Sequence, residues 1–131
     1  MKRQNFSSGG KWEASVGYSR AVRVGNQVFV SGTTAADPDG NVTGDAAAQT
    51  AVIFEIIRRA LEVAGASFAD VVRTRICLRN IDDSEAVGRK HGEIFADIRP
   101  VSTMLEISKF VDPAMLVEIE VDAVLSDARV I

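Results

Sequence analysis

The chain has 131 residues and a net charge of −3, with a pI near 5.1. This length suits one domain over residues 1–131, and the acidic balance disfavours a nucleic-acid partner, because phosphate contacts need clustered lysine and arginine. The single cysteine, Cys77, and the single histidine, His91, exclude an internal disulfide and a metal site built from thiolates or from several imidazoles. We expect no metal and no other cofactor.

Hydropathy and the N-terminal residues argue against a membrane partner. No apolar stretch approaches the roughly 20 residues that span a bilayer. The first residues, Met1–Asn5, are not followed by the apolar segment of a secretory signal. A chain with a single cysteine also suits a reducing compartment. We therefore expect a cytoplasmic protein.

The first half of the chain predicts a β-hairpin followed by a long helix. Two β-rich runs, Arg20–Val24 and Gln27–Ser31, are joined by a Gly-Asn pair that tolerates the positive φ of a tight turn. Residues Arg3–Ser8 could add a further N-terminal strand. Apolar residues at helical spacing then predict a helix over Thr43–Ala64.

Capping residues set the expected ends of the helices. Asp45 is the predicted N-cap of the first helix, and Gly65 is its predicted C-terminal cap. Asp82–Ser84 is expected to cap a second helix that runs to about Ala96. The Arg99–Pro100 pair should break that helix, because proline cannot continue it.

Two later strands, Val71–Arg79 and Val101–Ser108, alternate in polarity along their length. The first should place Val72, Thr74, Ile76 and Leu78 on one face and Arg73, Arg75, Cys77 and Arg79 on the other. The second should place Thr103, Leu105 and Ile107 on one face and Ser102, Met104 and Glu106 on the other.

The last strand separates apolar and acidic side chains completely. From Val117 to Leu125 every second residue is apolar, whereas Glu118, Glu120 and Asp122 share the other face. Three carboxylates in a row repel one another, so that face needs cations, water or a ligand. Cross-strand pairing with Arg73, Arg75 and Arg79 would relieve both rows of like charge, and the alternative is that both faces are simply solvated. Because the sheet must bury its second face, we expect such pairs at a subunit interface.

The motifs along the chain carry a family resemblance in their order and spacing. They are Gly17–Val22, Val28–Gly32, Gln49–Thr50, Asp70–Thr74, Arg99–Pro100 and Val117–Glu120. Together they resemble the Rid family, also called YjgF/YER057c/UK114, over residues 14–126. The resemblance implies an α+β fold like that of the bacillus type of chorismate mutase, with two helices packed on one face of a mixed sheet. It also implies a homotrimer with a central barrel and small-molecule clefts between subunits.

The resemblance further implies hydrolysis of a reactive imine or enamine, such as 2-aminoacrylate, to a keto acid and ammonia. Glu118 matches the glutamate that positions water, and Tyr18 matches the tyrosine of the cleft. Ser31 and Gly32 match the pair whose backbone lines the pocket. Met104 is expected to contact the substrate as well.

One functional residue of the family is replaced in this chain. In the family's deaminases an arginine two residues after the proline grips the substrate carboxylate, but here that position is Ser102, which follows Pro100. Gly88 stands where many deaminases carry asparagine. The chain therefore resembles a divergent subgroup for which 2-aminoacrylate is not the expected substrate, and Ser102 would bind by a neutral hydrogen bond. The candidates for a replacement cation are Arg20, then Arg73 and Arg75, and Arg99 only if the backbone after Pro100 is irregular.

Three functions stay open. The first is an imine or enamine deaminase, and the second is a trimer that binds a small molecule without catalysis, for regulation. The third is the endoribonuclease activity with which the family is labelled, which the acidic charge balance disfavours.

The remaining candidate residues are more often structural. His91, on an apolar helix face, is expected to pack rather than to catalyse, and Cys77 is expected to be a buried, inert thiol. A Ser–His triad is not expected, because the helix of His91 gives no reason to meet a candidate serine. Glu106 and Glu118 could form a carboxylate pair with one raised pKa.

Overall fold

The computed structural model describes residues 1–126, which form a six-stranded mixed sheet and two main helices. The strands are β1 (Arg3–Phe6), β2 (Ala21–Val24), β3 (Gln27–Thr33), β4 (Val71–Leu78), β5 (Val101–Glu106) and β6 (Val117–Val124). The helices are α1 (Ala46–Val63) and α2 (Ser84–Phe95). Across the sheet the order is β1-β2-β3-β6-β4-β5. Neighbouring strands are antiparallel except for the parallel pair β4 and β5, which α2 connects.

Both helices cover the same face of the sheet, as predicted. The predicted α+β fold is therefore confirmed, together with the N-terminal strand. Among residues 1–126, neither helix combines the length and the apolar character that a membrane span requires. The larger side chains buried in the layer between helices and sheet are Ile53, Ile57, Leu61, Ile76, Leu78, Ile119 and Val121.

The ends of α1 show which local signals decide a helix boundary. The helix begins at Ala46 rather than at the predicted Thr43, because Gly44 has a φ of 88° and Asp45 caps the first turn. The Asp45 carboxylate accepts a hydrogen bond from the Ala48 amide at 2.9 Å. Gly65, with a φ of 85°, follows the last turn. Both predicted caps are thus confirmed.

Helix α2 is capped differently from the prediction. The Asn80 side chain accepts a hydrogen bond from the Asp82 amide at 2.9 Å and holds a short 3-10 turn over Ile81–Asp83. Asp83, at the N-cap of α2, makes no side-chain capping bond. Asp83 therefore occupies a predicted capping position of α2 without making a capping hydrogen bond, and Asn80 caps the 3-10 turn that precedes the helix. Strand β5 also ends earlier than predicted, at Glu106.

One predicted face of β4 is wrong at its first position. Val72 is 45% exposed, although the alternation places it with the buried Thr74. The pairing of β4 with β6 shifts register between Val71 and Arg73. A shift of this kind adds one residue to a strand and reverses the side to which the preceding side chains point. As a result Val71, and not Val72, faces the core.

Candidate functional site

The sheet face opposite the helices carries an ion-pair ladder between β4 and β6. Arg75 binds Glu120, and its Nη2 lies 3.3 Å from Asp122 Oδ2. Arg73 Nε lies 3.7 Å from the same oxygen of Asp122. The predicted cross-strand pairing is confirmed for these four residues, and it forms within one chain. Among the described residues, Arg79 and Glu118 form no ion pair in this ladder.

Glu118 lies at the edge of this ladder, against the backbone of β3. Its carboxyl carbon would be 3.0 Å from a Cβ atom added at Gly32. The approach is possible because β3 departs from regular pairing with β6 between Val30 and Thr33 and because Gly32 has no side chain. The register of the sheet thus places the half-buried Glu118 carboxyl directly against the main chain of β3 at Gly32, where no side chain lies between them.

The surroundings of Glu118 favour its protonated form. Burial raises the pKa of the Glu118 carboxyl, and the charge of Glu120 acts in the same direction, whereas Arg20 opposes both. A carboxyl with a raised pKa keeps its proton to a higher pH than an ordinary glutamate does, which is the direction in which enzymes tune general acids. Glu118 is therefore suited to acid–base chemistry.

Arg20 forms the other charged wall beside Gly32. Its Nη2 donates a hydrogen bond to the Gly32 carbonyl oxygen at 2.9 Å. Its Nε is buried and has no hydrogen-bond acceptor among the described residues. Burial lowers the pKa of the Arg20 guanidinium, while Tyr18, Glu13 and Glu118 act in the opposite direction. A buried donor without an acceptor is uncommon in folded proteins and marks a place where an acceptor is missing.

Tyr18 and Ser31 lie beside this pair, on the wall of a surface groove with a volume of about 700 Å³. The Ser31 hydroxyl donates a hydrogen bond to the Ser19 carbonyl oxygen at 2.6 Å, which joins β3 to the Tyr18 segment. Tyr18 is 41% exposed. Arg20, Gly32 and Glu118 do not line the groove, so it adjoins the acid rather than containing it.

Glu13 positions the Tyr18 segment, although nothing in the sequence pattern identified it. One oxygen of its buried carboxylate accepts hydrogen bonds from the Ser8 hydroxyl at 2.9 Å and from the Gly10 amide at 3.1 Å. The Glu13 carbonyl oxygen accepts the Tyr18 amide at 3.0 Å. These hydrogen bonds lower the pKa of Glu13, although its burial acts to raise it. A buried carboxylate therefore fixes the turn that leads into Tyr18.

Gln49 positions the other approach to the acid. Its side-chain amide donates hydrogen bonds to the Gly44 carbonyl at 3.0 Å and the Ala114 carbonyl at 2.9 Å, and its side-chain oxygen accepts the Leu116 amide at 2.9 Å. Gln49 is 1% exposed. It thereby ties the loop before β6 to α1 and sets where the strand of Glu118 begins.

Ser102 and Met104 lie on the opposite face of the sheet from Glu118 within one chain. In the parallel pair, Ser102 is in register with Thr74 and Met104 with Ile76, so both share the helix-covered side of β4. Met104 packs against the core. The structure therefore brings together Tyr18, Arg20, Ser31, Gly32 and Glu118, and keeps Ser102 and Met104 apart from them in the same chain.

The Ser102 hydroxyl belongs to a polar chain that the sequence did not reveal. Thr74 Oγ1 donates to Ser102 Oγ at 2.7 Å and lies 2.9 Å from His91 Nε2. His91 also packs on Phe95, with ring centroids 4.6 Å apart, which agrees with its predicted packing role. Burial lowers the pKa of His91. Thr74 bridges His91 and Ser102, so the helix of His91 comes nearer to a candidate serine than expected, but the direct contact of a Ser–His triad is not formed among the described residues.

Three other predicted residues have clear positions. Glu106 is in register with Leu78 and accepts the Ile81 amide at 3.0 Å, so it lies across the sheet from Glu118 and forms no carboxylate pair with it. Cys77 is only half-buried, opposite Glu118, and its pKa is raised by burial and by two nearby carboxylates. Arg99 has a φ of 56°, and its Nε donates to the Ala96 carbonyl at 3.0 Å.

Comparisons with known proteins agree on one family. Residues 10–125 match the family model described as Endoribonuclease L-PSP. An uncharacterised protein of Streptomyces coelicolor is 44% identical over 92% of this chain and 90% of its own length. The 3-aminoacrylate deaminase RutC of Acinetobacter baylyi is 36% identical over 78% of this chain and 82% of its own length.

The solved structures lead to the same assignment. The crystal structure of Rv2704 from Mycobacterium tuberculosis, described as a member of the YjgF/YER057c/UK114 family, is 46% identical and has a TM-score of 0.87. It covers 95% of this chain and 100% of the Mycobacterium chain. The chain therefore belongs to the Rid family, the YjgF/YER057c/UK114 or L-PSP family.

Proposed function

We propose that this protein hydrolyses a reactive imine or enamine in clefts that are completed by neighbouring subunits of a homotrimer. The overall reaction adds one water across the C=N bond of the imine and releases a carbonyl compound and ammonia. An enamine first takes a proton at carbon to become the iminium. The observation that carries the proposal is the half-buried Glu118 carboxyl, whose pKa burial raises, held over Gly32 beside the Arg20 guanidinium.

Each residue near Glu118 has a place in this chemistry. In its protonated form the Glu118 carboxyl donates the proton that forms the iminium, and the resulting carboxylate takes a proton from the attacking water. Arg20 offers guanidinium N–H donors to the anionic end of the substrate. Tyr18 and the backbone of Ser31 and Gly32 orient the substrate.

The homotrimer is proposed because one chain holds only part of the candidate site. Ser102 and Met104 lie on the helix-covered side of the sheet, and Glu118 lies on the open side. Only a second copy could bring such groups into one cleft. The open face also exposes apolar side chains beside its charges, since Phe29 is 42% and Leu105 45% exposed. Surfaces of this mixed character are common at interfaces between subunits.

The test is release of ammonia from chemically related enamines. The RutC relative names 3-aminoacrylate as a first substrate to assay, with 2-aminoacrylate beside it as the second. Glu118→Gln should lower kcat by about 100-fold or more, the usual contribution of a general acid–base group. Glu106→Gln is the matched control, because glutamine keeps the oxygen that accepts the Ile81 amide. Ammonia release that survives Glu118→Gln unchanged would overturn the assignment.

A second function, binding without catalysis, is favoured by one observation. The hydroxyl of Ser102 offers a neutral contact where the family's deaminases place a cation, so a ligand could be held without being activated. Calorimetric titration with the keto products, combined with no ammonia release from any enamine, would support binding over hydrolysis. The endoribonuclease description of the family model is tested in the same series by incubation with single-stranded RNA, for which we expect no cleavage.

A further inference from the structure

The loop between β1 and β2 has a single buried side chain. Of residues 7–18, which we call the Glu13 loop, only Glu13 is buried. The large apolar side chains of Trp12 and Val16 are 58% and 70% exposed. No side chain in the hydrophobic core of residues 1–126 belongs to this loop. Apolar burial, the dominant stabilising term in folded proteins, therefore contributes little to the order of the loop.

The Glu13 carboxylate orders the loop instead. Its Oε2 accepts hydrogen bonds from the Ser8 hydroxyl at 2.9 Å, the Ser8 amide at 3.3 Å and the Gly10 amide at 3.1 Å. Hydrogen bonds to an ionised acceptor are stronger than those between neutral groups. The main chain of Glu13 fixes the other half of the loop, because its carbonyl oxygen accepts the Tyr18 amide at 3.0 Å. Both halves of the loop are thus tied to one residue.

Glu13 is not suited to proton transfer. Burial acts to raise the pKa of its carboxyl, but hydrogen bonds from Ser7, Ser8 and Gly10 lower that pKa by more. The carboxyl is therefore an anion at neutral pH, and donors already occupy its Oε2. Its role is to hold the loop, in contrast to Glu118, whose pKa is raised.

The Glu13 loop forms part of the wall of the groove that adjoins Glu118. The loop residues that line the groove are Glu13, Ala14, Gly17 and Tyr18. Both Glu13 and Tyr18 act electrostatically on Arg20, so this wall borders the guanidinium beside Glu118. A wall that lost its anchor would have to become ordered at each binding event. That cost reduces the apparent affinity in proportion to the fraction of molecules in which the wall is already ordered.

We propose that Glu13 is a positioning residue, whose ionised carboxylate holds the groove wall of Ala14, Gly17 and Tyr18 in the shape that binds the substrate. Neutralising Glu13 then weakens substrate binding and leaves the chemistry at Glu118 intact. The inference rests on the proposed function for its substrate, whereas the order of the loop can be measured without any turnover.

Glu13→Gln removes the anchor with little change in side-chain volume. The glutamine is uncharged, and its side-chain N–H groups cannot accept a hydrogen bond. If the wall is then ordered in about a tenth of the molecules, KM for 3-aminoacrylate should rise about tenfold while kcat stays within about twofold. Glu85→Gln is the matched control, because it removes the same charge from an exposed side chain of α2, and it should change neither constant.

Gly10→Ala disturbs the same contact and leaves the charge in place. A Cβ atom at Gly10 would lie 2.9 Å from Glu13 Oε2, and the φ of Gly10 is not positive, so only space opposes the alanine. We expect the same rise in KM. The double variant with Glu13→Gln should lose little more than either single variant, because both substitutions break one contact. Gly10→Ala also carries the test if Glu13→Gln does not fold.

Trp12 reports on the loop without any substrate. It is the only tryptophan of the chain and directly precedes Glu13, so tryptophan fluorescence monitors this loop alone. Glu13→Gln should lower the fluorescence anisotropy of Trp12, and a lysine-specific protease should cut after the exposed Lys11 about tenfold faster. The melting temperature of the helices and sheet, followed by circular dichroism, should change little. Unchanged anisotropy and unchanged cleavage would overturn the anchoring role.

Failure of this inference can be told from failure of the proposed function. A Glu13→Gln variant that lowers kcat at constant KM, or that keeps both constants, would contradict the positioning role. If the wild type releases no ammonia from any enamine, the proposed function fails, and the calorimetric affinity for pyruvate, the keto acid expected from 2-aminoacrylate, decides the inference. Weaker pyruvate binding by Glu13→Gln than by the wild type would support it, and equal binding, or no binding by the wild type, would overturn it.

Discussion

The carboxyl carbon of Glu118 rests 3.0 Å from where a Cβ atom at Gly32 would lie, and both carboxylate oxygens are within 3.3 Å of the same point. Such contacts are tighter than ordinary van der Waals packing. Gly32 does not have a positive φ, so an alanine there is limited by space and not by its backbone conformation. The glycine thus lets an acid from β6 lie directly on the main chain of β3.

Gly32→Ala should therefore reduce catalysis more than stability. The added methyl group pushes the Glu118 carboxyl away by a few tenths of an ångström, and small displacements of a reacting group are costly to rate. We expect kcat to fall about tenfold or more and the free energy of unfolding to fall by about 1 kcal/mol. Ammonia release and urea unfolding measure the two effects separately.

Gly92→Ala is the matched control for that substitution. Gly92 lies within α2, and a Cβ added there meets nothing within 4 Å. Replacing a helical glycine by alanine should stabilise the protein by about 0.5–1 kcal/mol without lowering the rate. If Gly32→Ala behaved like Gly92→Ala in both measurements, Glu118 would not depend on the space at Gly32.

The raised pKa of Glu118 predicts a trade between stability and function. Its ordinary pKa is 4.5, and the folded protein raises it, mainly by burial. The folded state thus binds this proton more tightly than the unfolded state does. The resulting stabilisation is fully present below pH 4.5 and is lost as the pH rises through the folded pKa.

Glu118→Gln should accordingly raise the melting temperature at pH 7 to 8, because it removes a charge that is costly to bury. The gain should shrink towards zero as the pH falls below about 4.5, where the wild-type carboxyl is neutral in both states. Thermal unfolding of the two proteins across this range measures the difference. A stability gap that does not vary with pH would show that Glu118 titrates normally.

The sequence predicted what local chemistry decides and missed what depends on strand pairing. Alternation in β6 correctly placed Glu118, Glu120 and Asp122 on one face, and the carboxylate of Asp45 correctly marked the start of α1. Val72 was assigned to the wrong side because a register shift with β6 is a property of two strands and not of one.

The polar chain behind Ser102 was missed for a related reason. Ser102 joins Thr74 only because β5 pairs in parallel with β4, and His91 joins them only because α2 crosses over both. The one signal available in the sequence was Thr74 itself, a hydroxyl at a core position between apolar neighbours. A buried hydroxyl needs a partner, and that rule predicts a polar side chain facing Thr74.

Gln49 provides a stability prediction for the scaffold beneath the acid. Gln49→Met keeps most of the side-chain volume but removes three hydrogen bonds and leaves the Leu116 amide without its acceptor. We expect a loss of about 2–4 kcal/mol in the free energy of unfolding, read from urea titration. The exposed Gln27 on β3 offers a control, Gln27→Met, which should change stability by less than about 0.5 kcal/mol. Equal losses at both positions would show that the Gln49 hydrogen bonds do not stabilise the loop before β6.

The ion-pair ladder gives a direct test of the proposed homotrimer. Arg75 is paired with Glu120 and Asp122 on the open face, and its side chain is 42% exposed, so the pairs themselves contribute little to the stability of one chain. Arg75→Glu would place a fourth acid among Glu118, Glu120 and Asp122. If three such faces meet in the assembly, the repulsion is repeated in each subunit, and the mass measured by light scattering should fall from that of three chains to that of one.

Arg58→Glu makes the same change of charge on the outer surface of α1, beside Glu55 and Glu62, and should leave the mass unchanged. A wild-type protein that runs as a single chain, or an Arg75→Glu variant that keeps the full trimer mass, would contradict the placement of this face at the centre of the assembly.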